Sequence, residues 1–147
     1  MSTTYKQIKT IQEFIGAIRL RVDVFIKEQQ CAPGWEPDEE DKVSEHFIAL
    51  VDRKIVGTAR VRRPNPEEIK IERMAIDKGF RGKGVGDGLL RYVIKQTMRS
   101  KPKRIWMQAQ THAQAFYEKC GFHAVSKPYD LYGIEHVDME LMVLDKK

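Results

Sequence analysis

The sequence predicts one α/β or α+β domain over residues 1–147, on three observations. Strand-like and helix-like runs follow one another in the order β, α, β, β, β, α, β, α, β, β, with no linker, internal repeat or low-complexity segment between them. A chain of 147 residues is long enough for a single core without disulfides or metals. The 41% hydrophobic and 32% charged residues exclude a disordered or collagen-like chain.

Each element has a local reason. Thr3 to Lys9 alternates weakly and reads as a first strand, and Thr10 followed by Glu13 has the form of a capping box that starts a helix. Ile11, Phe14, Ile15, Ile18, Val22, Phe25 and Ile26 then recur at three- and four-residue steps, with room for one break before Gln30 and an end at Pro33-Gly34. His46 to Asp52 and Lys54 to Arg63 are β-rich runs joined by a tight turn at Asp52-Arg53-Lys54, and Pro64-Asn65-Pro66 closes the second. Ile69 to Ile76 is a further strand, followed by a glycine-rich segment and a helix with the stripe Val85, Leu89, Tyr92, Val93. Arg104 to Gln110 is the next strand, and Thr111 is placed to cap a short helix ending at Gly121. Phe122 to Ser126 and Val137 to Leu144 are the last strands, with a loop containing Pro128 and Gly133 between them.

Charge and cysteine usage narrow the function classes. The formal charge of +5 is spread along the chain without a basic block, and no nucleic-acid module signature is present. No nucleic-acid partner is expected; a mild positive excess equally suits a polyanionic small cofactor. Cys31 and Cys120 form neither a disulfide framework nor a CxxC spacing, and a reducing compartment is the simpler reading. With no apolar signal core at Met1 to Lys6 and no window near the roughly 18 apolar residues of a membrane helix, the protein reads as cytoplasmic, with no membrane partner.

The informative segment is Phe80-Arg81-Gly82-Lys83-Gly84-Val85-Gly86-Asp87-Gly88, four glycines at alternate positions between a strand and a helix start. Glycine lets backbone approach an anion, and the first amide groups of a helix have no internal acceptor, so the segment suits phosphate or pyrophosphate. Arg81 and Lys83 add positive charge. A P-loop fails because Lys83 is followed by Gly84 and no hydroxyl, and a Rossmann fingerprint fails because Asp87 or Leu89 falls where its last glycine belongs. The pattern R/Q-x-x-G-x-G/A fits at Arg81, Gly84 and Gly86. The plain alternative is a flexible connection that holds nothing, which leaves the cost of four glycines unexplained.

Arg81 to Gly86 resembles the pyrophosphate-binding signature of the GNAT acetyltransferases. Ile71-Glu72-Arg73-Met74-Ala75-Ile76 is similar to that family's central strand, and Ala115 to Phe122 is similar to its second signature, F-Y-x-x-x-G-F. Arg21 to Gln29, His46 and Gly133 to Met139 look like the ElaA/YjcF-type branch, which carries no secure substrate. The resemblance implies a mixed central sheet of about six to seven strands with helices on both faces. It also implies acetyl-coenzyme A as co-substrate, held by Arg81, Gly82, Lys83, Gly84, Val85, Gly86 and Asp87. Backbone groups near Met74, Ala75 and Ile76 are left free by a splayed central strand to hold the acetyl carbonyl and pantetheine arm. A neutral primary amine of a small molecule or peptide attacks the thioester directly; the alternative is a module of the same fold that binds acetyl-coenzyme A without turning it over. A homodimer stays open.

Three tasks follow for side chains: hold the thioester, take a proton from the amine, and protonate the leaving sulfur. In the resemblance Tyr117 stands where a phenol meets the sulfur; otherwise it packs the channel. Phe116 and Cys120 read as core. For the base, Glu72, Glu28, His46 and His136 are candidates beside a water-mediated route. Strand alternation puts Glu72 with Met74 and Ile76 unless a bulge reverses the phase. Glu36 to Asp41 holds five carboxylates, either a solvated loop or a collar for a cationic acceptor. Zinc spacing is absent, so no metal is expected, and no G-x-S-x-G occurs.

Overall fold

The computed structural model describes residues 2–31 and 36–143. The strands are β1 (Thr3–Gln7), β2 (Glu45–Val51), β3 (Lys54–Asn65), β4 (Glu68–Ile76), β5 (Arg104–Gln110), β6 (Phe122–Ala124), β7 (Tyr129–Leu131) and β8 (Ile134–Leu141). The helices are α1 (Ile11–Arg21), α2 (Val85–Thr97) and α3 (Gln114–Lys119). They build an eight-stranded sheet in the order β1-β2-β3-β4-β5-β8-β6, with β7 paired to β8 off that path. β4 and β5 run parallel, and the other pairs are antiparallel.

Local chemistry accounts for most boundaries. The Thr10 hydroxyl accepts the Glu13 amide while the Glu13 carboxylate accepts those of Thr10 and Lys9, completing the capping box. The break in the apolar stripe is a π-helical widening over Val22–Glu28. Pro33-Gly34 lies outside the described residues, as does Leu144. The β2–β3 hairpin turns on Asp52 and Arg53, both at positive φ (49° and 67°), as a type I′ turn requires.

Two expectations are corrected. Thr111 does not cap α3: it opens a 3₁₀ turn and its hydroxyl bonds the Glu135 carboxylate at 2.9 Å, while α3 has no side-chain cap. The stretch around Gly133 is not only a loop, because Tyr129–Leu131 forms β7 and the chain reverses at Tyr132 and Gly133 (φ 56° and 82°) into β8. A three-residue strand is too short to show alternation.

The helices cover both faces of the sheet. Val85, Leu89, Leu90 and Val93 of α2 pack with Val61, Ile69, Ile71, Ile105, Met107 and Met139 in the larger core. On the other face Leu20, Val24 and Phe25 pack with Ala75, and Ile55 and Ile134 join at the margin. Each such side chain contributes about 1.5–3 kcal/mol when fully buried. A Cβ at Gly88 would stand 1.9 Å from the Tyr5 hydroxyl, so this glycine lets α2 lie against β1. Among the described residues no helix is long and apolar enough to cross a membrane.

Candidate active site

The β4–β5 ladder is short. It joins Glu68, Ile69 and Lys70 to Arg104, Ile105 and Trp106, and the register extends no further along either strand. Where the strands part, a cleft of about 530 Å³ opens, walled by Ile71 to Ile76 on one side and Met107 to Gln110 on the other. Backbone amide and carbonyl groups that a ladder would have consumed face this space.

A bulge in β4 decides which side chains point where. Arg60 pairs with Glu72 but Thr58 pairs with Ala75, so one extra residue of β4 is accommodated, and Arg73 takes φ 53° there. Glu72 consequently shares a face with Ala75, towards α1. Met74 and Ile76 instead join the α2 core. The simple alternation that grouped Glu72 with Met74 and Ile76 is thereby corrected.

At the other end of the cleft the glycine segment enters α2. Asp77 accepts the Gly79 amide at 2.9 Å and fixes the turn out of β4. Gly82 and Gly84 have φ 73° and 83°, and a Cβ on either would meet nothing within 4 Å. Gly84 is the N-cap of α2 and no side chain caps the helix, so the amides of Val85, Gly86 and Asp87 lack helical acceptors and face outward with the positive end of the dipole behind them. Gly86 differs: its Cβ would make ordinary contact with Phe116 at 3.4 Å and Ile76 at 3.5 Å. Arg81 does not stand free over this loop. Its Nε donates to the Ile76 carbonyl at 3.0 Å and its terminal nitrogens donate to both Glu28 oxygens at 2.6 and 2.8 Å. Lys83 lies over the Phe80 ring at 5.6 Å. The Asp87 carboxylate is held by Arg91 at 3.0 Å and accepts from the Cys120 thiol at 3.5 Å, leaving the Asp87 backbone as its contribution to the loop.

The proton-carrying candidates are placed very differently. Tyr117 lines the cleft and packs edge-on against Phe116 and Phe122. Burial pushes its phenol up to about 12, so it keeps its proton throughout the neutral range. Glu28 lines the cleft, but the Arg81 hydrogen bonds hold its carboxyl below the usual range. Glu72 also lines the cleft; burial pushes its carboxyl up, yet the charge and hydrogen bonds of Arg60, with those of Arg62, bring it below its ordinary value. His46 is not brought to the cleft: it is buried, edge-on to Phe14, with Nε2 3.0 Å from the Asp41 carbonyl, and burial pushes its pKa down. His136 lines the cleft.

Neither reading describes the whole acidic stretch: Glu39 and Glu40 are exposed, while Glu36, Asp38 and Asp41 turn inward onto arginines. Arg21 and Arg60 are each 1% exposed and take up its carboxylates. Arg21 binds both oxygens of Asp41 at 2.8 and 3.1 Å and meets Glu36. Arg60 reaches Asp38 at 2.6 Å, Asp41 at 3.0 Å and Glu72 at 2.7 Å. Arg73, at the bulge, pairs with Glu36 at 2.8 Å and Asp38 at 3.0 Å. Burial raises Asp41, but the Arg21 hydrogen bonds and the Asp38 amide bring it down to about 2. These carboxylates brace the cleft wall from behind. Two further residues escaped the sequence because their link is long-range. Gln29 and Gln110 exchange amide hydrogen bonds at 3.2 and 2.9 Å, joining the π-helical end to the tip of β5 across the cleft.

Comparison with known proteins agrees with this geometry. Residues 5–143 match the acetyltransferase (GNAT) domain family. A UPF0039 protein of Synechocystis is 35% identical, covering 83% of this chain and 81% of its own length. The uncharacterized N-acetyltransferase YjcF of Bacillus subtilis is 32% identical, covering 89% of this chain and 94% of its own. The crystal structure of Escherichia coli ElaA superposes with a TM-score of 0.85 at 24% identity, over 95% of this chain and 99% of that one, and so has the same fold. An eight-stranded sheet splayed between β4 and β5, read together with the family match over nearly the whole chain, leads to one conclusion: the protein belongs to the GNAT acetyltransferase family and is an acyltransferase.

Proposed function

We propose that the protein transfers an acetyl group from acetyl-coenzyme A to a primary amine of a small molecule or peptide, by direct attack of the amine on the thioester. The observation that carries this reading is that the parted β4 and β5 and the open glycines before α2 border one cleft. The residues present fit the cofactor. The amides of Val85, Gly86 and Asp87 would hold the pyrophosphate, and Gly82 and Gly84 leave room for its approach. The backbone of Met74, Ala75 and Ile76 would pair with the pantetheine arm as an added strand would, and hold the acetyl oxygen. When bound, acetyl-coenzyme A supplies an activated acyl carbon and a thiol leaving group. Tyr117 gives its phenolic proton to the departing sulfur, for which a raised pKa is no obstacle because donation requires the protonated form. The Gln29–Gln110 bridge and the Glu28–Arg81 pair tie the π-helical end to both walls and limit water access.

The test is release of free thiol from acetyl-coenzyme A with a panel of small amines and peptides bearing free N-termini. Amine-dependent thiol release with a matching acetylated product supports the reading. Tight binding with no release for any amine would favour the non-catalytic module instead.

A further inference from the structure

The geometry points to His136 as the general base, its Nε2 taking the proton from the attacking amine; this rests on the acetyl transfer proposed above. Nδ1 of His136 lies 2.8 Å from the Ile134 carbonyl oxygen. A carbonyl can only accept, so Nδ1 carries the ring proton and Nε2 of the neutral imidazole is left with its lone pair. Nε2 has no hydrogen-bond partner among the described residues. His136 is 8% exposed and lines the cleft, which gives that lone pair a single direction to serve.

The ring is held in place. It stacks on Tyr129 at 6.3 Å and 23°, and the Tyr129 hydroxyl donates to Asp138 at 2.5 Å. β8 is itself clamped between β7 and β5, with Tyr129 and Gln110 as the cross-strand partners of His136. The Gln110 side chain reaches Gln29 at the end of the π-helical turn, and Ile134, two residues before His136 on β8, packs with Leu20 and Val24 while Val137 joins the α2 core, so His136 stands on the sheet face opposite α2. A base on that face and a cofactor loop on the other leave the gap between β4 and β5 as the line of attack.

The competing groups are committed elsewhere. Glu72 is held by two arginines, Glu28 by two hydrogen bonds from Arg81, and His46 is outside the cleft. His112 is exposed and its Nε2 meets the Gln110 amide oxygen at 2.5 Å. Tyr129 from β7 stacks on His136 and Gln110 from β5, with His112 bonded to it, is its cross-strand partner; Glu28 from the π-helical end, paired with Arg81, lines the same cleft, and Asp138 on the strand of His136 is engaged by Tyr129.

The step balances. As the amine nitrogen bonds the acyl carbon, Nε2 takes one of its protons. The carbon–sulfur bond breaks with its pair going to sulfur, and sulfur takes the Tyr117 proton. The imidazolium then loses its proton to solvent and the phenolate regains one, so amine and acetyl thioester become amide and free thiol.

Two measurements on the full chain test this. In nitrogen-detected NMR of the wild-type imidazoles at neutral pH, His136 should show the Nδ1–H tautomer that the Ile134 carbonyl selects; an Nε2–H tautomer overturns the proposal without any acceptor being needed. In the second, thiol release is followed with acetyl-coenzyme A and a fixed mixture of an aliphatic diamine, an arylalkylamine and a peptide with a free N-terminus. His136→Gln should lower kcat/KM by about 10²- to 10³-fold, in the usual range for a positioned base. It should abolish the fall of wild-type kcat/KM on the acid side and leave acetyl-coenzyme A affinity unchanged. Added imidazole should partly restore His136→Ala. Turnover of His136→Gln within about threefold of wild type, with the same pH profile, refutes the role. Failure of acetyl transfer itself would look different, since the wild type would then release no thiol with any of the three amines, whether or not it binds acetyl-coenzyme A.

Discussion

Gly84→Ala and Gly86→Ala should behave oppositely, although the two glycines sit two residues apart in one motif. At Gly84 φ is 83° and a Cβ would touch nothing within 4 Å, so the penalty is purely conformational. An L-residue held there costs about 1–2 kcal/mol. If the loop keeps its shape the loss appears as stability, about 2–4 °C per kcal/mol for a domain of this size. If the loop relaxes to negative φ, the amides of Val85 to Asp87 turn from the ligand, and the same free energy appears as an affinity loss of about 5- to 30-fold. Gly86 lies in the first turn of α2, and its Cβ would make only ordinary contact with Phe116 and Ile76. Alanine there gains up to about 1 kcal/mol of helix propensity and should leave affinity within about threefold. Calorimetric titration with acetyl-coenzyme A and a thermal melt of each variant read both quantities. Equal damage from the two substitutions, or a Gly84→Ala protein indistinguishable from wild type in both measurements, would refute the argument from backbone conformation.

Three further outcomes are expected. Tyr117→Phe keeps the ring against Phe116 and Phe122, so acetyl-coenzyme A affinity should hold while turnover falls about 10²- to 10⁴-fold; near wild-type turnover would remove the phenol from the mechanism. Asp41 has its carboxyl lowered from 3.8 to about 2, so its contribution, on the order of 2 kcal/mol, is complete above the unfolded value and is lost as pH falls through about 4 towards 2. Glu36, pushed up by burial, acts in the opposite sense, and Asp41→Asn should therefore flatten the acid limb of a stability curve while lowering stability at pH 7; an unchanged acid limb contradicts the assignment. Among the described residues Glu39 pairs only with exposed Lys42 and Glu40 with Arg62, so the double variant Glu39→Gln, Glu40→Gln should leave the acceptor KM and its salt dependence unchanged, and a clear rise in KM would restore the idea of a steering collar.

Features decided by neighbours in the chain were legible from the sequence. Thr10 and Glu13 announce the start of α1, Asp52-Arg53 the hairpin, and the spacing of Gly82, Gly84 and Gly86 a loop open to an anion, because each depends on groups within a few residues. What escaped depends on partners far apart. Alternation cannot foresee that β4 carries a bulge at Arg73, since the register is set by β3, and so the face of Glu72 was open. A run of carboxylates looks solvated until Arg21, Arg60 and Arg73 are brought to it from three other elements. His46 and His136 look alike as lone histidines; only the Asp41 carbonyl at one and the cleft at the other tell them apart.

The most direct test of the central claim is amide chemical-shift mapping of the labelled protein during titration with acetyl-coenzyme A, with ATP as the comparison. The largest shifts should fall on Gly82 to Asp87 at the glycine-loop end of the cleft and on Met74 to Ile76 along its β4 wall, and ATP should not reproduce the shifts on β4. Shifts confined to another part of the molecule, or an identical pattern with ATP, would contradict the assignment of this cleft to the acetyl thioester.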